Sequence, residues 1–222
     1  MRIGVTIFPG SNCDHDALFA IERAGATPVE LWHADADLKG VDAVVVPGGF
    51  SYGDYLRPGG IARFSKVMGP LEEFAGSGGP VLGVCNGFQV LTEAHLLPGA
   101  LLRNTGMRFV CKRVPARIET TKTPWTSLFE PGEEIALPVA HNEGNYFADP
   151  RTLAKLEDEG RVVLRYLENP NGSLNDIAGI CNAARNVVGL MPHPERVSDE
   201  TLGSDEGLKV FDSVLSYAEA KV

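Results

Sequence analysis

The stretch that most constrains this chain is Pro80-Val81-Leu82-Gly83-Val84-Cys85-Asn86-Gly87-Phe88-Gln89-Val90-Leu91, an apolar strand that runs through one cysteine into a helix. Its frame, G-x-C-x-G, is the thiol counterpart of the G-x-S-x-G nucleophile elbow, a sharp strand-to-helix turn that holds the nucleophile on a strained backbone above a sheet. Side chains at positions 83 and 87 would collide where strand and helix approach, and both are glycine. A sulfur at a helix N-terminus meets unpaired amide donors and the positive end of the dipole, which favour an anion. A buried structural cysteine beside two turn glycines would show the same letters, so the partners of Cys85 decide between the readings.

The surroundings fit an α/β fold. Arg2 to Phe8 predicts a strand, Pro9-Gly10-Ser11-Asn12 a turn, and Asp14 to Gly25 a helix, with Leu18, Ile21 and Ala24 or Gly25 at helical spacing. Strands follow at Pro28 to His33 and Ala43 to Val46, the latter apolar throughout, as expected of a strand buried on both faces of a parallel sheet. The next segment, from Pro47-Gly48-Gly49 to Pro58-Gly59-Gly60, is a glycine-dense loop at the carboxyl end of a strand, where open α/β sheets bind ligands. Ile61 to Phe74 reads as a helix interrupted near Gly69-Pro70, and the elbow helix runs from Asn86 to about Leu96. Beyond it, Met107 to Glu119 and Ile135 to Ala140 alternate as antiparallel strands do. Arg151 to Glu159 is a helix and Val162 to Leu167 a strand. Ile177 to Asn182 and Val187 to Met191 make a hairpin, and Leu208, Phe211, Leu215 and Ala218 mark a last helix. The expectation is one domain over residues 1–222, an open, mostly parallel twisted sheet with helices on both faces and an antiparallel extension.

Composition removes several functions. The 222 residues carry 29 acidic against 20 basic side chains, a net charge of −9, with no basic run, so no nucleic-acid partner is expected. No apolar run reaches the roughly 18 residues of a membrane span, and the N-terminus reads as a strand rather than a signal peptide. The four cysteines (Cys13, Cys85, Cys111, Cys181) form no CxxC pair, which argues against zinc or a disulfide framework and fits a reducing cytoplasm. Cys13, Cys111 and Cys181 are expected to be structural. No metal site and no phosphate loop of the G-x-x-x-x-G-K-[ST] type is legible.

A cysteine nucleophile needs a base, and the base needs a group to hold it. His193 and Glu195 supply both at the end of the strand Val187 to Met191. In an extended segment residues two apart point to the same side, so the Glu195 carboxylate can take a hydrogen bond from the imidazole while Pro194 stiffens the link. An isolated H-x-E is more often a capping histidine with a solvated glutamate. Beside the elbow and the glycine loop, the triad reading is the better one. His15, His33 and His95 fall in or beside predicted elements as surface or core groups. His141, in the cluster His141-Asn142-Glu143-Gly144, could line the site or support the loop.

Gly83-Val84-Cys85-Asn86-Gly87-Phe88-Gln89, His193-Pro194-Glu195 and Pro47-Gly48-Gly49 together resemble the class I (triad) glutamine amidotransferases, a flavodoxin-like α/β family. The longer strings from Pro47 to Gly59, from His141 to Asn145, from Met191 to Arg196 and from Phe8 to Asp14 resemble, more narrowly, the glutaminase subunits of phosphoribosylformylglycinamidine synthases in purine biosynthesis. The resemblance implies that Cys85 attacks the side-chain amide of glutamine, that His193 protonates the departing ammonia, and that water hydrolyses the thioester. It implies an oxyanion hole from the backbone amides of Gly49 and Asn86, with Gln89 holding the substrate and Arg57 near its carboxylate. It also implies no cofactor in this chain, with ATP and Mg on a large synthetase partner and a small accessory subunit in the same complex. Two other readings are a cysteine hydrolase of the DJ-1 and PfpI-like type, which usually has a histidine where this chain has Asn86, and a non-catalytic interaction subunit, against which the intact Cys85, His193 and Glu195 argue.

Overall fold

The computed structural model describes residues 1–220. Among the described residues, eleven strands and five α-helices follow in the order β1 (Arg2–Ile7), α1 (Asp14–Arg23), β2 (Thr27–Trp32), β3 (Ala43–Val46), α2 (Met68–Gly76), β4 (Val81–Val84), α3 (Asn86–Glu93), β5 (Ala100–Leu102), β6 (Val110–Ile118), β7 (Glu134–His141), β8 (Asn145–Phe147), α4 (Pro150–Asp158), β9 (Val162–Tyr166), β10 (Ile177–Cys181), β11 (Val187–Leu190) and α5 (Leu208–Glu219). Nine strands form one sheet in the order β2-β1-β3-β4-β11-β10-β9-β6-β7, in which the first five are mutually parallel and the rest antiparallel.

The sequence character of each strand follows from its place. Ala43-Val44-Val45-Val46, Val81-Leu82-Gly83-Val84 and Val187-Val188-Gly189-Leu190 lie in the middle of the sheet and are buried at every position. β7 is an edge strand, so its buried positions alternate, and Pro138 is tolerated there because an edge residue need not donate outward. α1 packs on β1, β2 and α5, while α3 rests on β3, β4 and β11.

Register decides where chemistry can occur. Val46 lies beside Gly83, and Val84 beside Leu190, so β3, β4 and β11 end together. The glycine loop, Cys85 and the Met191-Pro192-His193 segment therefore leave the sheet at one edge, the carboxyl edge of its parallel half.

Three local expectations differ from the structure. The interruption between Ile61 and Phe74 falls at Ser65, which is extended (φ −66°, ψ 148°), and Gly69-Pro70 instead opens α2. Proline is tolerated in a first helical turn, where its missing N–H would have had no partner. The strand expected from Met107 begins at Val110, and α3 ends at Glu93 rather than near Leu96. A two-stranded sheet, β5 with β8, was not legible in strands of three residues each.

Candidate active site

β4 delivers Cys85 to the N-terminus of α3 with φ 50° and ψ −105°, a conformation that L-residues avoid and that only surrounding structure can hold. The Cys85 amide donates to the Leu190 carbonyl at 2.7 Å, tying the elbow to β11. A Cβ on Gly83 would lie 2.8 Å from the Gly87 carbonyl carbon, and one on Gly87 would run into the Val46 carbonyl oxygen. Both glycines thus set how closely helix and strand approach. The thiol is buried and lies 3.8 Å from the Ala140 carbonyl at the end of β7.

β11 leads to His193, whose amide donates to Pro138 O of β7 at 2.8 Å. Its Nδ1 is 2.6 Å from Glu195 Oε1, and both residues are 1% exposed. This pair forms across the start of a 3₁₀ turn, Pro194–Val197, rather than along an extended segment, because Pro194 is pre-set for the first position of a helical turn. His193 Nε2 and Glu195 Oε2 are buried without a hydrogen-bond partner. Burial by itself would lower the imidazole's pKa, but the Glu195 carboxylate and, after it, the Cys85 sulfur outweigh that and hold it well above its ordinary value. The arrangement can therefore keep an imidazolium, oriented through Nδ1 and with Nε2 unengaged, in the field of the cysteine sulfur.

The glycine loop closes over this pair. A Cβ on Gly48 would come 2.7 Å from His193 Cε1, and Gly49, at φ 136°, pairs with Ser11 across an isolated bridge. The segment after β1 braces the loop further through Phe50 N to Gly10 O at 3.0 Å and Tyr52 N to Pro9 O at 2.6 Å. A Tyr52 hydroxyl 2.6 Å from His33 Nδ1 and 2.8 Å from Ser65 Oγ anchors its far side.

The Asn86 side chain joins loop to elbow, accepting from Ser51 N at 3.1 Å and donating to Asp54 Oδ1 at 3.3 Å and Gln89 Oε1 at 2.8 Å. Gln89 in turn donates to Glu143 O at 2.6 Å. Gln89 is thus brought to the site. Arg57 is not: its exposed guanidinium forks onto Glu93 at 2.5 and 2.6 Å, which leaves the expectation that it meets a substrate carboxylate without support.

His141 is a support of the loop. Asn104 Oδ1 lies 3.2 Å from its Nδ1 and Asn171 Nδ2 3.4 Å from its Nε2, which together suit a neutral ring protonated on Nδ1. Burial, and next the charge of His193, push it down to about 4.

Cys13, expected to be structural, sits closer to the chemistry than its sequence position suggests. Its sulfur accepts from Arg196 Nη2 at 3.1 Å, and it lines, with His193, Arg196, Asn12, Gly49 and Phe50, a cavity of about 120 Å³. Ligand atoms of Cys13, His193 and Glu195 lie within 4.8 Å of one another. The Arg196 charge on that sulfur and the hydrogen bond between the other two disfavour a cation there.

Comparison with known proteins follows the same lines. Residues 1–209 match the family described as the CobB/CobQ-like glutamine amidotransferase domain. The phosphoribosylformylglycinamidine synthase subunit PurQ of Rubrobacter xylanophilus is 76% identical over 219 residues, covering 99% of this chain and 100% of that protein. The PurQ subunit of Trichormus variabilis is 56% identical over 222 residues, 99% of each chain. Among solved structures, a chain of PurLQS from Thermotoga maritima superposes with a TM-score of 0.90 at 44% identity, covering 98% of each chain. A glutamine amidotransferase from the same organism shares the fold at 16% identity, with a TM-score of 0.63 over 98% of this chain and 97% of that one.

Proposed function

The chain belongs to the family of CobB/CobQ-like glutamine amidotransferase domains, and on that premise we propose a residue-level mechanism by which it releases ammonia from glutamine for phosphoribosylformylglycinamidine synthesis. The observation that carries the mechanism is the buried His193–Glu195 pair, with an unengaged Nε2, at the sheet edge that also presents the strained Cys85.

Cys85 Sγ attacks the carboxamide carbon, and the tetrahedral oxyanion is met by the backbone amides of Gly49 and Asn86. Asn86 is the first residue of α3, so its amide has no acceptor within the helix. His193 Nε2–H passes its proton to the departing ammonia as the C–N bond breaks, leaving a glutamyl thioester. The now neutral imidazole takes a proton from water, the resulting hydroxide displaces the sulfur, and glutamate leaves. Glu195 keeps Nδ1 protonated and stabilises the imidazolium, as the acid does in a serine protease triad.

The protein is the glutaminase subunit of a multi-subunit synthase, and the ammonia goes to an ATP-dependent synthetase subunit that makes the amidine, with a small accessory subunit in the same complex. This chain uses no cofactor of its own; ATP and Mg belong to the synthetase. Among the described residues no helix is long and apolar enough to cross a membrane, and four free cysteines suit the cytoplasm, where we place the protein. The whole chain acts as one domain.

A glutaminase uncoupled from a synthetase would waste glutamine. The isolated protein is therefore expected to hydrolyse glutamine slowly, and addition of the synthetase with its nucleotide to raise the rate by ordering the loop from Gly48 to Gly60 over the thiol. Glutamate release measured with and without the partner checks this. A rate unaffected by the partner would contradict the coupling, and no hydrolysis by the assembled complex would contradict the reading itself.

A further inference from the structure

Asp54 carries a charge that the mechanism above does not use. It follows a run of left-handed backbone, Tyr52 at φ 55° and Gly53 at φ 68°, is itself at φ 53°, and is held against the elbow by Asn86, the residue next to the nucleophile. Burial, and next the negative charge of Glu143, push its carboxyl up to about 6, against the lowering effect of the Asn86 hydrogen bond. It is still a carboxylate at neutral pH. Among the described residues neither Asp54 nor Glu143 has an ion pair, although Arg57 and Glu93, on the same loop and the same helix as their neighbours, pair with each other. Two carboxylates drawn together beside a nucleophile without a cation are unfavourable unless something positive arrives. A second feature marks the same spot: the Ser51 hydroxyl, in the stretch that Asn86 anchors, is 2% exposed and has no hydrogen-bond partner. Beside Asn86, then, a carboxylate lacks a cation and a buried hydroxyl lacks a hydrogen-bond partner.

Glutamine brings a cation at the right reach. With its carboxamide carbon at the Cys85 sulfur, its α-ammonium lies about 5 Å further along an extended chain of C–C bonds. The Asn86 side chain reaches from the residue after Cys85 to Asp54, its Nδ2 3.3 Å from Oδ1, so the carboxylate stands one side chain away from the nucleophile's neighbour. Resting on the glutaminase reading, we infer that Asp54, backed by Glu143, binds the α-ammonium group of the substrate and so makes a free α-amino group a requirement for hydrolysis.

The test is steady-state glutaminase kinetics of the assembled complex carrying Asp54→Asn, with glutamine and with 4-carbamoylbutanoate, the same amide without its amino group. Loss of one charge-assisted contact made equally in ground and transition state should raise KM for glutamine about thirtyfold while kcat changes little. The preference for glutamine over the des-amino amide should collapse, Asp54→Glu should restore much of it, and Glu143→Gln should move KM the same way by less. An Asp54→Asn complex that keeps both its KM and its preference for glutamine would overturn the assignment. So would one that loses kcat alone, which would make Asp54 a prop for the elbow. If the wild-type complex hydrolyses no glutamine, the glutaminase reading falls, and this inference with it.

Discussion

Two histidines near the thiol are held in opposite directions, and His141 gives the cleaner measurement because it is argued to hold the fold rather than to move protons. Its pKa falls from the ordinary 6.5 to about 4 in the folded chain. Folded His141 therefore stays neutral while the unfolded chain takes up a proton as pH drops, so the stability it contributes is fully present above 6.5 and is lost as pH falls toward 4. From pH 7.5 to pH 5 the unfolded state gains on this account about 2 kcal/mol, at about 1.4 kcal/mol per pH unit below 6.5. His141→Asn removes the titrating group while leaving a donor for Asn104 Oδ1. Urea unfolding of wild type and variant across that range should show the wild-type advantage shrinking by about 2 kcal/mol as pH falls. His193, whose pKa is raised, acts in the opposite sense but is common to both proteins and cancels in the difference. A difference that stays flat with pH, or grows on acidification, would mean that His141 is not a buried neutral support.

Further outcomes follow from the same geometry. A glutamine-like electrophile should modify Cys85 and leave Cys13, Cys111 and Cys181 largely untouched, because of the four free thiols only Cys85 stands at the N-terminus of the elbow helix, where a thiolate is activated; peptide mapping showing equal labelling of all four would refute the assignment. Glu195→Gln keeps the side chain's shape but removes the charge that raises His193, so glutaminase turnover should fall, though by orders of magnitude less than in Cys85→Ala; turnover matching wild type would take Glu195 out of the triad. Gly87→Ala should lose about 1–3 kcal/mol of stability on thermal or urea unfolding, since its methyl group meets the Val46 carbonyl; unchanged stability would show that the close approach of α3 to β3 is not what requires glycine.

What could be read from the chain beforehand was whatever neighbours in sequence settle among themselves. The elbow was legible because the demand for glycine at 83 and 87 is local, and β3, β4 and β11 because strands buried on both faces are unbroken apolar runs. Pairing across long separations was not legible. Asn104 and Asn171 reach His141 from 37 and 30 residues away, and nothing in an H-N-E-G cluster announces them. Cys13 meets Arg196 from 183 residues away, so four irregularly spaced cysteines gave no hint that one would flank His193. The resemblance alone puts Arg57 near the substrate carboxylate, and the helix residue that takes its fork, Glu93, becomes visible only once α3 packs beside the loop. The start of α2 was misjudged because Gly69-Pro70 reads as a break in a periodic pattern, whereas proline suits the first turn of a new helix equally well.

In the proposed mechanism Cys85 releases the ammonia from glutamine and takes no part in the synthetase chemistry. The direct measurement is amidine formation by the assembled complex carrying Cys85→Ala, once with glutamine and once with a high concentration of free ammonia. Glutamine-dependent formation should vanish and ammonia-dependent formation should persist at the wild-type rate. Loss of both reactions in a complex that remains assembled would place Cys85 in the synthetase step and contradict the role assigned to this chain.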